Sequence, residues 1–286
     1  MDVFSDNRHP EIKKMIRAKH PLVQGLISAH KDHTAAMKLV KKAFLERRLS
    51  NTWRHHLEGI VPDDFDLVVT VGGDGTVLHA SHAIARTPVL AVNSAPDSSV
   101  GFFTCTDAAK FGDKLDEVLA GELKPVRLSR MEVRVNGKVV TDRALNDVLF
   151  CHDCPASTTR YVLACNGLSE SQLSSGVWVS TAAGSTAAVK SAGGKTLPMG
   201  SRRLQFKVRE PIPQGRASAQ SMPTVTHGFV QDGEALTLTS RTDRAGLYVD
   251  GPHVVFSVNF GDEVRLSNAH RPLNLFMLEK NRQIRP

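Results

Sequence analysis

An apolar run, Leu67-Val68-Val69-Thr70-Val71, ends on Gly72-Gly73-Asp74-Gly75-Thr76, and a helix-compatible stretch from Val77 to Ala85 follows. That order predicts a strand handing over to a helix through a glycine turn. Glycines let the backbone take strained angles and let a bulky anion approach. The helix start leaves free N–H groups and a positive dipole end, and phosphate chemistry uses both. Asp74 is the odd element, because a carboxylate would repel a phosphate held in a plain cradle. It fits a site where it takes a proton from an attacking hydroxyl, or faces a phosphate through Mg²⁺. The plainer alternative is a tight Gly-Asp-Gly turn with an exposed acid.

Better-known phosphate motifs do not fit. A Walker loop would place glycine at Val189 ahead of Gly194-Lys195-Thr196. A dinucleotide fingerprint, or a kinase-type glycine loop, would place its third glycine at Leu78.

Around that turn the chain alternates helix and strand. Residues 34–48 place Leu39, Val40, Ala43 and Phe44 on one helical face; 66–71 and 89–93 read as buried strands, and 76–86 as a helix. Residues 107–120 place Phe111, Leu115, Val118 and Leu119 on another helical face, with Gly121 as the stop. The alternation predicts an α/β domain with a parallel sheet over 1–125, whose ligands bind beyond the strand ends, where Asp74 and Asn93 fall.

From 126 to 268 the pattern turns β-rich. Met131–Val135 alternates into an Asn136-Gly137 hairpin turn, and further strands read at 145–151, 160–165, 176–180, 204–209, 225–230, 235–239, 246–250, 253–259 and 263–267. A short helix is expected near 185–192 and a long loop over 211–223; the segment 269–286, apolar at Leu273–Leu278, can return to either domain.

The chain has 286 residues, 41% hydrophobic and 23% charged, an ordinary globular composition with room for two domains. Met1–Lys14 has no apolar leader, no run reaches membrane-span length, and Gln283–Pro286 matches no lipidation signal. With four cysteines that suit reduced thiols, these features predict a cytoplasmic protein without a membrane partner. Cys151-His152-Asp153-Cys154 lacks the second ligand pair of a structural zinc site, since Cys105 and Cys165 stand alone, so no metal ligands are assigned. The net charge of +7 is scattered, with 6% aromatics and no stacking platform, so polyphosphate ligands account for it as well as nucleic acid does, and no nucleic-acid partner is expected. Lys41-Lys42 and Arg47-Arg48 read as a solvated helix face.

Four separated segments together resemble the NAD kinase family. Gly72–Thr76 is similar to its GGDG motif. Asn93-Ser94 through Gly101-Phe102-Phe103 resembles its Asn…Gly-Phe segment, lengthened by three residues. Leu145-Asn146-Asp147-Val148 resembles its Leu-Asn-Glu-Val. Gly176–Ala187 resembles its Gly…Ser-Thr-Pro-Thr-Gly-Ser-Thr-Ala signature. With Ser191-Ala192-Gly193-Gly194 the likeness is to the plant-type NADH kinase branch, and it covers roughly residues 65–260.

The resemblance implies an N-terminal α/β domain, a β-rich C-terminal domain and a site between them. It implies transfer of the γ-phosphate of ATP, with Mg²⁺ or another divalent cation, to the 2′-hydroxyl of the adenosine ribose of NAD or NADH. Asp74 would be the general base, Gly73 and Gly75 would let backbone amides approach the ATP phosphates, and Thr76, Asn93, Gly101 and Phe102 would bind substrate or nucleotide. Asn146 and Asp147 would bind ribose hydroxyls; Ser185, Thr186, Ala187 and Ser191 would line the nicotinamide-ribose side, and Arg160 would pair with a phosphate or lie on the surface. His79 and His82 could line the phosphate path but read first as ordinary helix residues, and Asp250-Gly251 resembles a late family Asp-Gly and reads first as a hairpin turn. The chain departs from the family at Asp147 (usually Glu), Ala188 (commonly Tyr) and Ser175 (often Asp). A homo-oligomer, dimer or tetramer, is expected. The competing functions are a lipid or sugar kinase of the wider GGDG superfamily, and a non-catalytic dinucleotide sensor or nucleic-acid-binding protein.

Overall fold

The computed structural model describes residues 10–55, 61–214 and 221–278. The readings at Gln283–Pro286, at the first nine residues of Met1–Lys14 and at the middle of the 211–223 loop lie outside the described residues. The chain divides into two compact units, one of residues 1–55, 69–77 and 90–124, the other of 56–68, 78–89 and 125–286.

In the first unit the strand Val89–Asn93 is buried along its whole length, as a strand covered on both faces requires. It lies beside Val68–Gly72 and pairs in parallel with Thr106–Asp107. The helix expected over 34–48 is longer, Gln24–Glu46, and buries Ala36, Val40 and Ala43, whereas Leu39 is left 46% exposed. The helix expected from Asp107 runs Phe111–Leu119 instead. Asp107 belongs to the short strand, and its carboxylate accepts the Lys110 N–H at 3.0 Å, turning the chain before the helix begins. Phe111 and Leu115 are buried, and Leu119 is exposed. The Phe44 and Phe111 rings lie 5.7 Å apart. Arg47 is not a free surface cation: its Nε and Nη2 each donate to Asp116 at 2.6 Å, a bidentate link to the second helix.

The second unit is built on two six-stranded sheets. One holds Asp147–His152 and Gly176–Ser180 as neighbouring antiparallel strands, with Ala245–Val249 on the other side of Asp147–His152. The other holds Met131–Val135, Thr159–Cys165 and Leu168–Ser174. Side chains from both sheets, among them Phe150, Val179, Leu247, Tyr161, Leu163 and Leu266, form one core, and Phe150 meets Tyr161 edge to face at 5.6 Å. Asn136 and Gly137 have φ of 50° and 77°, the mirror-image turn expected there. A second such turn, Asn166-Gly167, joins Thr159–Cys165 to the unanticipated strand Leu168–Ser174. The expected helix near 185–192 is a 3₁₀ turn, Ala183–Thr186, followed by one α-helical turn, Ala188–Ser191. Leu273–Phe276 pairs antiparallel with Val126–Leu128. No disulfide forms among the described residues. No helix among the described residues is long and apolar enough to cross a membrane.

Candidate functional site

The predicted site residues fall into two groups, one in each unit, with Arg160 apart from both.

In the first group, the strand Val68–Gly72 hands over to a helix that begins at Asp74 and ends at Ser81, earlier at both ends than the expected 76–86. The Asp74 carboxylate accepts two backbone N–H groups, Phe102 at 2.9 Å through Oδ2 and Phe103 at 2.7 Å through Oδ1. Residues nearly thirty positions away are thus drawn onto the glycine turn. Asn93 shapes the loop that brings them there. Its Oδ1 accepts the Ala95 N–H at 3.1 Å, and its Nδ2 donates to the Ser99 carbonyl at 3.4 Å. Gly101 closes the loop with φ +63°, and a Cβ there would sit 2.4 Å from Asn93 Nδ2. Asn93, Gly101, Phe102 and Asp74 are therefore one hydrogen-bonded and packed assembly. Gly75 and Thr76 are exposed, and a Cβ at Gly75 would meet nothing within 4 Å. Each Asp74 oxygen keeps lone-pair capacity beyond its backbone bond, so the carboxylate can still accept from a hydroxyl.

In the second group, every backbone polar group of Leu145-Asn146-Asp147 is engaged by two residues. The Asp250 carboxylate accepts the N–H of Leu145 (2.8 Å), Asn146 (2.6 Å) and Asp147 (3.1 Å). The Asp250 N–H donates to the Asp147 carbonyl at 2.9 Å. Thr181 supplies its hydroxyl to the Leu145 carbonyl and its N–H to the Asn146 carbonyl. The side chains are left over: Asn146 Oδ1 is buried with no hydrogen-bond partner among the described residues. Burial first, then the neighbouring Asp250, pushes the Asp147 carboxyl up to about 7.

The Gly176–Ala187 motif folds against this segment. Gly184 approaches the Asn146 carbonyl so closely that only glycine fits. Ser185 is completely buried, donating to the Ala182 carbonyl at 2.7 Å and accepting the Leu197 N–H at 2.9 Å, so its hydroxyl ties the turn to 197. Thr186 and Ala187 are half-buried beyond it, and Ser191 is exposed at the end of its helical turn. Arg160 lies on the other sheet, exposed, with its backbone tied to Arg241 and Thr242.

Three residues that shape the second group were not singled out in the sequence as doing so. Asp250 is the turn expected there, with φ 51°, but its carboxylate is also the anchor of the Asn146 segment. His82, beyond the end of its helix, places Nε2 3.1 Å from Asp250 Oδ2. Arg130 is 1% exposed and donates Nη1 to the Ile84 carbonyl at 2.8 Å; Nε and Nη2 find no partner among the described residues. Burial, with Arg143 nearby, draws that guanidinium down to about 10. An arginine inside the run Leu128-Ser129-Arg130-Met131 is a signal that sequence reading could have used.

The model of the ATP-NAD kinase N-terminal domain matches residues 7–123. A probable NADH kinase of Oryza sativa subsp. japonica is 39% identical over 227 residues, covering 72% of this chain and 69% of the rice protein. An NAD kinase of Acinetobacter baylyi is 35% identical over 216 residues, covering 73% and 67%. The crystal structure of an NAD kinase from Archaeoglobus fulgidus in complex with ATP superposes with a TM-score of 0.68 at 21% identity, covering 86% of this chain and 90% of that one, and so shares the fold. A strand-to-helix turn carrying Asp74, a β-rich unit carrying Asn146-Asp147 and these relatives converge on one conclusion: the chain belongs to the NAD kinase family.

Proposed function

We propose that this protein transfers the γ-phosphate of ATP to the 2′-hydroxyl of the adenosine ribose of NAD or NADH, giving NADP or NADPH. The observation that carries the reading is the Asp74 carboxylate, fixed by the Phe102 and Phe103 amides at the head of a glycine turn. A ribose hydroxyl attacks phosphorus only if its proton has an acceptor. Asp74 is assigned that role, which is worth about 10²–10⁴ in rate. Gly73 and Gly75 leave the backbone accessible to ATP phosphates, and positioning of those phosphates supplies much of the remaining acceleration. Asn146 and Asp147 are assigned to ribose hydroxyls, since an amide and a carboxylate together offer donors and acceptors.

A divalent cation would neutralise phosphate charge. Among the described residues no cluster of three or more His, Cys, Asp or Glu is placed to hold one alone. Family membership favours a dinucleotide acceptor over a lipid or sugar. The relatives are named for both NAD and NADH, so both belong in the test. Purified protein with Mg-ATP is offered NAD, NADH, a diacylglycerol and a hexose. Phosphate incorporation into a dinucleotide is expected; incorporation into the lipid or sugar alone would overturn the reading.

A further inference from the structure

Asp250 does more than close a hairpin. Its side chain is 1% exposed, yet among the described residues no arginine or lysine forms an ion pair with it. Instead it spends one oxygen on the Asn146 and Asp147 amides and the other on the Leu145 amide, with His82 Nε2 3.1 Å from that second oxygen. A buried carboxylate costs free energy unless it is well hydrogen-bonded, so this one is stable only while those three amides converge on it. The dependence runs both ways. Three consecutive N–H groups can converge on one carboxylate only in a restricted backbone geometry, and that geometry sets where the Asn146 and Asp147 side chains begin.

The surroundings reinforce the arrangement. The turn that carries His82 is held from two sides, Arg143 donating to the His82 carbonyl at 2.8 Å and Arg130 to the Ile84 carbonyl at 2.8 Å. Arg130 also adds positive charge close enough to be felt by Asp250, Asp142 and Asp63. His82, 18% exposed, is the one of these contacts that reaches the anchor itself.

We propose that Asp250 and His82 are positioning residues for the dinucleotide: Asp250 holds the Asn146-Asp147 backbone in its ligand-binding geometry, and His82 holds the Asp250 carboxylate. The assignment rests on the proposed function in taking Asn146 and Asp147 to meet a ribose.

Three variants test it: Asp250→Asn, His82→Leu and His82→Gln. In Asp250→Asn an amide NH₂ replaces one oxygen and confronts a backbone N–H, donor against donor. His82→Leu removes the contact with little change in volume, whereas His82→Gln keeps an N–H donor at a similar reach. NADH binding is read by nucleotide fluorescence, and KM for NAD, NADH and ATP by coupled assay, on variants whose circular dichroism matches wild type. Loss of one amide–carboxylate hydrogen bond in Asp250→Asn, or of the His82 Nε2 contact in His82→Leu, predicts about 10- to 100-fold weaker NADH binding and higher dinucleotide KM. KM for ATP stays within about twofold, and His82→Gln recovers most of the affinity. Wild-type NADH affinity in folded Asp250→Asn or His82→Leu overturns the proposal, as does an equal rise in the KM for ATP. The fluorescence titration needs no turnover, so a wild-type protein that binds NADH but makes no NADPH counts against the proposed function and leaves the positioning test intact.

Discussion

A Cβ on Gly184 would lie 2.1 Å from the carbonyl oxygen of Asn146. No side chain can rotate away to make that room, because the obstruction is backbone, and the same carbonyl is already accepting the Thr181 N–H. The glycine of the Gly176–Ala187 motif is therefore set by the Leu145–Val148 motif, not by a turn of its own.

Replacing Gly184 by alanine must push the Asn146 segment off its anchor. Overpacking of this kind costs roughly 1–3 kcal/mol, and here the displaced atoms belong to the assigned ribose-binding pair. Denaturant unfolding of Gly184→Ala is expected to show that loss, together with weakened NADH binding. Gly75→Ala is the control for the other group: nothing lies within 4 Å of its Cβ, so the protein should keep wild-type stability while KM for ATP rises from the narrowed approach to the phosphates.

Asp147 is expected to couple dinucleotide binding to pH. Its carboxyl is raised to about 7 by burial and by Asp250. For an acid with a raised folded-state value, the folded protein holds the proton more tightly than the unfolded chain. Stability from that proton is full below about 4, falls as pH rises towards 7, and is gone above it. The ionised form is the better acceptor of ribose hydroxyls, so dinucleotide KM should fall as pH passes upward through about 7. Asp147→Asn should abolish that inflection and bind dinucleotide weakly. The same variant should be more stable than wild type at pH 8, by on the order of 2 kcal/mol, because a buried charge is removed. Thermal melts and KM–pH profiles read the two effects separately.

Asp63 shows the opposite sign. Burial pushes its carboxyl up, but the Thr87 and Arg86 amides and the Thr87 hydroxyl outweigh burial and hold it below the usual range. Its Oδ1 accepts those amides at 2.9 Å and 2.8 Å, fastening the turn ahead of the strand Val89–Asn93. Stability from this group is present above the unfolded value near 4 and is lost as pH falls through the lower folded value. Asp63→Ala is expected to cost about 1–2 kcal/mol at pH 7 and less as the pH approaches 3, measured by urea unfolding across that range.

Features that depend on near neighbours were legible in the sequence. The strand, glycine turn and helix around Asp74 follow from an apolar run meeting three glycines, and the Asn136-Gly137 hairpin follows from the two residues that tolerate positive φ. Asn166-Gly167 carried the same signal, with φ of 53° and 77°, but Leu168–Ser174 is too rich in serine for its alternation to stand out. Helix ends shifted where a side chain took over a backbone bond, as Asp107 did for Lys110. What local pattern could not reveal was the use of Asp250. A turn residue with a carboxylate looks the same whether that carboxylate faces water or collects three amides about 105 positions away. His82 was hidden for the same reason, since its partner is set by tertiary folding and not by helical spacing.

The most direct measurement is the turnover of Asp74→Asn beside its NADH affinity. The variant loses the proton acceptor and sets an amide NH₂ against the N–H of Phe102 or Phe103, so it is scored only where its circular dichroism and melting temperature match wild type. With Mg-ATP and saturating NAD or NADH, kcat is expected to fall by about 10²–10⁴, while fluorescence titration returns an NADH affinity within a few-fold of wild type. Near-normal formation of NADP or NADPH by a folded Asp74→Asn protein would contradict the assignment of Asp74 as the base.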